Sequence, residues 1–269
     1  MSKKGVLAGV GALLFAQAGA LAYYEEYQIS KGCPVVFSEI TGTSAGACNG
    51  AFIATGYSVL QRENIIFNLD PNTFLDYYLF SPLSLLTSSM ALMAGDKLYK
   101  KLKSFFPGKM GDTLIPLTIT ATDIDNKKLV VFSSKTTPDM EVAKAVRMSM
   151  GLPCIFKPVL HNGFKMVDGG ITKNFFIDNY PKDDPDVVGF RVYDNNDFDP
   201  VTNTKDMLNS LLFTAILQNE KDSKKHNNLA KYFEFTSDFD MFDFKKLNKR
   251  LIQKLYLDGY SQMKSLIGR

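Results

Sequence analysis

Two apolar runs stand within the first 56 residues, each closed by a glycine turn and each followed by small, helix-forming residues. Gly5 to Ala8 reads as a short strand, Gly9-Val10-Gly11 as a turn, and Ala12 to Tyr27 as a helix. Pro34 to Thr41, with Val35, Val36, Phe37 and Ile40, reads as a second, buried strand. A glycine turn follows, then a helix of small residues from Ala45 to Thr55, closed by Gly56. Parallel neighbours cannot be joined by a tight hairpin and need a crossover, so this repeated strand–turn–helix order predicts a mostly parallel sheet covered by helices.

The rest of the chain extends the pattern. Gln61 to Phe106 reads as mostly helical and amphipathic, with a basic end at Lys97, Lys100, Lys101 and Lys103. Ile115 to Thr122 and Lys128 to Ser133 read as a hairpin, Pro138 to Met150 as a helix, and Val187 to Tyr193 as a buried strand. From Met207 onward the sequence reads as helical, apart from a polar interruption near Asp222 to Asn228. In the last helix Phe244, Leu247, Leu251, Leu255, Met263 and Ile267 recur at helical spacing, as for a surface helix packed on a core. No repeat, linker or low-complexity tract divides the 269 residues, so one domain is expected, with a core of about 5–195 and a C-terminal helical part of about 205–269.

Two segments bear on membranes. Lys3 and Lys4 precede the apolar run Val6 to Ala22, which carries the parts of a secretory signal. The same residues also supply the first strand, turn and helix, and that reading is adopted. The uncharged run from Tyr77 to Gly95 is long enough to suggest a span, but Pro82 and several serines favour a broken helical cap or an interfacial lid. The net charge of +3 gives no whole-molecule case for binding nucleic acid. Three scattered cysteines and two histidines predict neither a metal site nor a cofactor, and weakly favour a reducing compartment.

The chemistry concentrates in Gly42-Thr43-Ser44-Ala45-Gly46, a G-x-S-x-G sequence set between a buried strand and a small-residue helix. A serine on such a turn sits in strained backbone, and the neighbouring glycines avoid clashes there. The turn lifts the hydroxyl above the sheet and aims helix N-terminal N–H groups at a developing oxyanion. A nucleophile of this kind needs a base. His226 lies in a polar, charged stretch and His161 in an apparent turn. Asp168, after Met166-Val167 and before Gly169-Gly170, fits a tight loop that brings a carboxylate into a cleft, although a plain Asp-Gly turn has the same sequence. A triad of Ser44, Asp168 and His226 is also compatible with the chain order.

Four separated segments together resemble the patatin-like phospholipase family. Ile40 to Ala47 looks like its serine elbow, and Ile115 to Ser134, with Ala121-Thr122-Asp123, like its central hairpin. Ala145 to Pro153, with Phe156 and Pro158, is similar to the segment before its aspartate. Val167-Asp168-Gly169-Gly170, followed by Asn174, looks like its Asp-Gly-Gly motif, and Asp258-Gly259-Tyr260 is similar to common family C-termini. The resemblance implies a three-layer α/β/α hydrolase and a Ser–Asp dyad without histidine. Ser44 would attack an ester carbonyl, and Asp168 would take its proton and later return one to the leaving alcohol. Gly9, Val10, Gly11 and Ala45 would supply the oxyanion hole, with Gly42, Gly46, Gly169 and Gly170 as supports.

The resemblance breaks in the first glycine turn. Val10 replaces a middle glycine, Leu13 stands at a basic position and Leu14 replaces a last glycine. A β-branched residue at positive φ would be strained. Two functions are therefore expected as alternatives. One is a lipid acyl hydrolase of phospholipase A or lysophospholipase type. The other is a lipid-binding or scaffold protein on the same fold with little turnover. The implied partners are a phospholipid or lysophospholipid substrate, a transient membrane surface and a protein activator. The expected location is cytoplasmic with peripheral membrane contact.

Overall fold

The computed structural model describes residues 2–77, 90–194, 201–227 and 230–268. Most of the Tyr77 to Gly95 run, and with it the expected lid, lies outside the described residues. Its end forms strand β3 (Ala91–Met93).

The first two units form, although the second strand starts at Phe37 rather than Pro34 and Val35 is exposed. Strand β1 (Lys3–Leu7) leads through a short 3-10 turn into helix α1 (Leu14–Ser30). Strand β2 (Phe37–Thr43) leads directly into helix α2 (Ala45–Ala54). The run with signal-peptide features is therefore the first strand and helix. Lys3 and Lys4 start β1 and pair with Asp186 and Asp184, both at 2.7 Å. Helices α3 (Val59–Phe67) and α4 (Asp96–Phe105) follow. The expected hairpin is β4 (Leu117–Asp123) with β5 (Lys128–Ser133), paired antiparallel. Helix α5 (Val142–Ser149) then precedes two three-residue strands, β6 (Cys154–Phe156) and β7 (Val159–His161), and strand β8 (Phe164–Asp168). His161 thus lies in a strand rather than a turn. After the short helix α6 (Gly170–Lys173) comes β9 (Val187–Asp194).

The main sheet runs β10-β9-β1-β2-β4-β8-β7, with β5 also on β4; β1, β2, β4, β9 and β10 are mutually parallel. This is the expected α/β architecture with a mostly parallel sheet. One difference concerns the C-terminal part, which is not purely helical. Helix α7 (Thr204–Lys224) is followed by strand β10 (Lys231–Ser237), which pairs with β9 and extends the sheet, before helix α8 (Lys249–Ile267). In β10 Phe233 and Phe235 are buried while Glu234 is exposed. That period of two is the signature of a strand covered on one face.

Helix α8 buries Ile252, Leu255, Tyr256 and Met263. It crosses α1 at backbone contact: a Cβ on Gly19 would lie 1.9 Å from Tyr256 O, and one on Gly259 would lie 1.9 Å from Ala16 O. Any side chain at either glycine would push the two helices apart, which accounts for glycine in the Asp258-Gly259-Tyr260 stretch.

The topology also brings two strand ends together. Along Thr118 to Asp123, β5 occupies one edge of β4. The strands β2 and β8 must then share the other edge. They approach from opposite directions: Thr43 of β2 pairs with Thr120, and Asp168 of β8 pairs with the next residue, Ala121. The residue after Thr43 is Ser44.

Candidate functional site

Ser44 occupies the turn between β2 and α2 at φ 53°, ψ −120°. This left-handed conformation costs a non-glycine residue about 1–3 kcal/mol, and surrounding contacts must hold it. The Ser44 N–H donates to Ser149 Oγ at 2.7 Å. Gly42 and Gly46 are the only residue type that fits beside it: a Cβ on Gly42 would lie 2.4 Å from Gly46 O, and one on Gly46 would lie 2.2 Å from Leu7 O. The β2–α2 turn is thus packed backbone to backbone against β1.

The Ser44 hydroxyl donates to Asp168 Oδ2 at 2.6 Å. The second carboxylate oxygen accepts the Gly170 N–H at 2.8 Å. The Asp168 main chain is fixed on both sides, with its N–H donating to Gly151 O at 2.9 Å and its carbonyl accepting from Thr122 Oγ1 at 2.8 Å. Gly169 is required because a Cβ there would meet Thr120 Oγ1 at 2.4 Å. The Asp-Gly-Gly sequence is therefore more than a surface turn: it seats a carboxylate in the interior.

Asp168 is 1% exposed and Ser44 is 6% exposed. Burial pushes the Asp168 carboxyl up to about 7, against hydrogen bonds from the Ser44 hydroxyl and the Gly170 N–H that favour its ionised form. At neutral pH such a group exchanges protons readily, and direct contact aims that exchange at Ser44 Oγ.

The first glycine turn lies against the serine. A Cβ on Gly9 would approach Ser44 Cβ to 2.9 Å and Asn174 Oδ1 to 2.3 Å. Val10 is at φ −139° and 1% exposed, and the positive φ falls on Gly11 at 52°. The strain expected at Val10 is therefore absent, since the loop places its left-handed residue where glycine remains. Leu13, at the basic position of the resemblance, is buried in the core.

The four expected oxyanion donors divide. The Gly9 N–H is engaged by Asn174, at 3.1 Å to Oδ1, so Gly9 serves as an anchor rather than a free donor. Among the described residues, the Val10, Gly11 and Ala45 N–H groups make no hydrogen bond. Gly11 and Ala45 line the same cavity as Ser44.

Sequence reasoning marked Asn174 only as following the Asp-Gly-Gly motif and missed its contact with this loop and the groups behind it. Asn174 Nδ2 donates to Gly9 O at 2.9 Å and to Glu220, which is paired with Arg191. The Asn174 N–H donates to Asn219 Oδ1 at 2.9 Å. Met241 O accepts the Ala12 N–H at 2.8 Å. Nothing in local patterning marks Glu220 or Met241 as neighbours of residue 9 or 12. Arg191 alone gave a signal, as a charge inside a buried strand. Ser149 was within reach, as part of the segment before the aspartate.

His226 lies elsewhere, its Nε2 at 2.9 Å from Tyr180 O. His161 stacks edge-on against Phe132 at 5.5 Å. Among the described residues no cluster of His, Cys, Asp or Glu side chains is suited to a metal ion.

A second, larger cavity adjoins the first, and the two share Leu14, Phe74, Leu98 and Met150 as walls. Its lining is almost wholly apolar. Helix α4 forms part of it through Leu98 and Leu102, while Lys97, Lys100 and Lys103 on the same helix are exposed. Among the described residues no helix is long and apolar enough to cross a membrane.

The family described as "Patatin-like phospholipase" matches residues 5–180. A Bacillus subtilis (strain 168) protein, YqhO, is 31% identical over 252 residues, covering 86% of this chain and 84% of YqhO. A "probable lipid hydrolase", 463L of invertebrate iridescent virus 6, is 39% identical over 62 residues, or 23% of this chain and 21% of that protein. The crystal structure of VipD from Legionella pneumophila shares the fold with a TM-score of 0.59 at 16% identity, covering 98% of this chain and 67% of that one.

Proposed function

Because the chain belongs to the patatin-like phospholipase family, we propose that it is a lipid acyl hydrolase in which Ser44 and Asp168 form the catalytic dyad. The observation that carries this reading is the 2.6 Å contact between Ser44 Oγ and a buried carboxylate. In the proposed reaction the ionised Asp168 accepts the Ser44 proton as Oγ attacks the ester carbonyl. The Val10, Gly11 and Ala45 N–H groups receive the oxyanion, aided by the N-terminal end of α2. Collapse of the tetrahedral intermediate breaks the ester bond, and Asp168 returns the proton to the departing alcohol. Water, activated by the same carboxylate, then releases the acyl group as a carboxylic acid and restores Ser44.

The apolar cavities suit a substrate with one acyl chain in the interior and a polar remainder outside, as in a phospholipid or lysophospholipid. The exposed lysines of α4 stand on a helix that also walls the cavity, so docking on an anionic membrane surface would bring the cavity to the lipid. We place the protein in the cytoplasm on this reading, as a peripheral visitor to membranes. The chain works as one unit, because Glu220 and Met241 from its C-terminal third complete the loop beside Ser44.

The test is release of free fatty acid from phospholipid vesicles by wild type, Ser44→Ala and Asp168→Asn. Activity in wild type and background in both variants is the expected result. Lipid binding with no Ser44-dependent release, even with cell extract added as a source of activator, would instead favour the scaffold alternative.

A further inference from the structure

The larger cavity runs along two helices that begin at the nucleophile. Its walls follow α1 through Leu14, Ala18 and Ala22, and α2 through Cys48 and Phe52. Ser44 caps the N-terminus of α2, and Leu14 begins α1 beside the serine cavity. Both helices therefore lead away from the nucleophile over the same distance. Leu14 to Ala22 and Ser44 to Phe52 each span about 12 Å of helix, the length of roughly ten methylenes with C–C bonds near 1.5 Å. Small residues at Ala18 and Ala22 leave the space that a leucine or phenylalanine would fill.

Beyond Ala22 the character of the wall changes. Arg62 lines the cavity and donates to Glu25 Oε1 at 2.6 Å. Glu25 lies on α1, three residues past Ala22, so the ion pair stands one turn beyond the last small residue. Both side chains are largely buried, at 10% and 12% exposure. A methylene pressed against this pair would have to disrupt a charged hydrogen bond between two largely buried groups.

On the reading of the site given above, we propose that this cavity is an acyl-chain ruler. Ala18 and Ala22 admit one unbranched chain of about ten carbons, and the Arg62–Glu25 pair sets its limit. The ligand class follows from the wall: a saturated hydrocarbon tail needs no hydrogen-bond partner, and a branched or polar tail would lose contacts or leave groups unsatisfied.

The experiment has two readouts. The first is hydrolysis of p-nitrophenyl butyrate, decanoate and palmitate by wild type, Ala18→Leu, Ala22→Leu and the double variant Arg62→Met/Glu25→Met. The second is binding of the free fatty acids butyrate, decanoate and palmitate to the same proteins carrying Ser44→Ala, by calorimetry. Wild type should favour decanoate in both. Each alanine variant should lower the decanoate-to-butyrate ratio by roughly tenfold or more, on the scale of methylene discrimination in apolar pockets. The double variant, with the charges replaced by apolar groups of similar length, should raise the palmitate-to-decanoate ratio.

The ruler is overturned if wild type binds and cleaves palmitate as well as decanoate. It is also overturned if neither alanine variant, its fold verified by thermal unfolding, changes the ratios. Chain-length-selective binding that follows these substitutions, without Ser44-dependent cleavage, would retain the ruler and remove the hydrolase reading.

Discussion

The two sides of the candidate site are built differently. Ser44 and Asp168 sit at the ends of two strands that meet on one edge of β4, and the residues that fix them are their own neighbours in the motifs: Gly42 and Gly46 on one side, Gly169 and Gly170 on the other. The loop from Gly9 to Ala12 is held from a distance. Asn174 binds Gly9 on both N–H and carbonyl, Met241 O receives the Ala12 N–H, and Glu220 and Arg191 brace Asn174 from behind. Substitutions on the dyad side should therefore abolish chemistry and leave the loop intact. Substitutions on the loop side should weaken stabilisation of the oxyanion while the Ser44–Asp168 contact persists.

The largest expected effect is on the dyad. Asp168→Asn keeps the shape and removes the base, and ester hydrolysis should fall by about 10³-fold or more. The wild-type pH profile sharpens the assignment. With the Asp168 carboxyl raised to about 7 by burial, the base is ionised only above that pH. Turnover should fall by about tenfold per pH unit below it and level off above. A profile that is flat down to pH values near the ordinary carboxylate range would show that Asp168 is not the titrating base.

The same group sets a stability term of definite sign. Its folded-state pKa lies above the ordinary value of 3.8, so the native state holds a proton that the unfolded chain has released. Its contribution is fully present below about 3.8 and is lost as pH rises through about 7. Asp168→Asn carries no such charge. Relative to wild type its stability should improve across that window, by an amount of the order of a few kcal/mol at its upper end. Denaturant unfolding at several pH values measures this. A constant difference between the two proteins would contradict it.

On the loop side the expected losses are smaller. Glu220→Gln removes the charge that binds both Asn174 and Arg191. It should lower kcat by about 10–100-fold, less than the loss of a whole oxyanion donor at its upper range, and leave the pH midpoint unchanged. A shifted midpoint would mean that Glu220 acts on Asp168 rather than on the loop.

This division also explains what could be read from the amino-acid order. The β1–α1 and β2–α2 units, the hairpin β4–β5 and the Ser44 and Asp168 motifs are local. Each carries its glycine, its period or its turn chemistry within a few residues, so the α/β class and the two side chains that meet at the strand ends are legible in the sequence. Strand β10 is also locally marked, by alternation in Lys231-Tyr232-Phe233-Glu234-Phe235, but the helix-forming residues on both sides of it mask that short period. The bracing of Gly9 by Asn174 and Glu220 was not readable at all. It is a contact between residues 165 apart, and then 46 apart, that only the closed sheet creates. The same holds for the apolar cavity, whose walls include residues of α1, α2, α3 and α4.

Val10 gives the finest test of the comparison, because the resemblance and the structure disagree about it. A glycine-rich loop suggests that Val10 impairs the site and that Val10→Gly would restore turnover. The geometry says otherwise. Val10 has negative φ, Gly11 supplies the left-handed position, and the Val10 side chain is 1% exposed within the core. Its N–H is available whether or not a side chain is attached. Val10→Gly should therefore change ester hydrolysis by no more than about twofold, well under the 10²-fold scale of a gained or lost oxyanion donor. It should lower stability by about 2–3 kcal/mol, from the loss of a buried isopropyl group and the added freedom of the unfolded chain. A tenfold gain in kcat would show instead that the valine holds the loop away from its active shape, and the loop side of the site would then be the part this chain has attenuated.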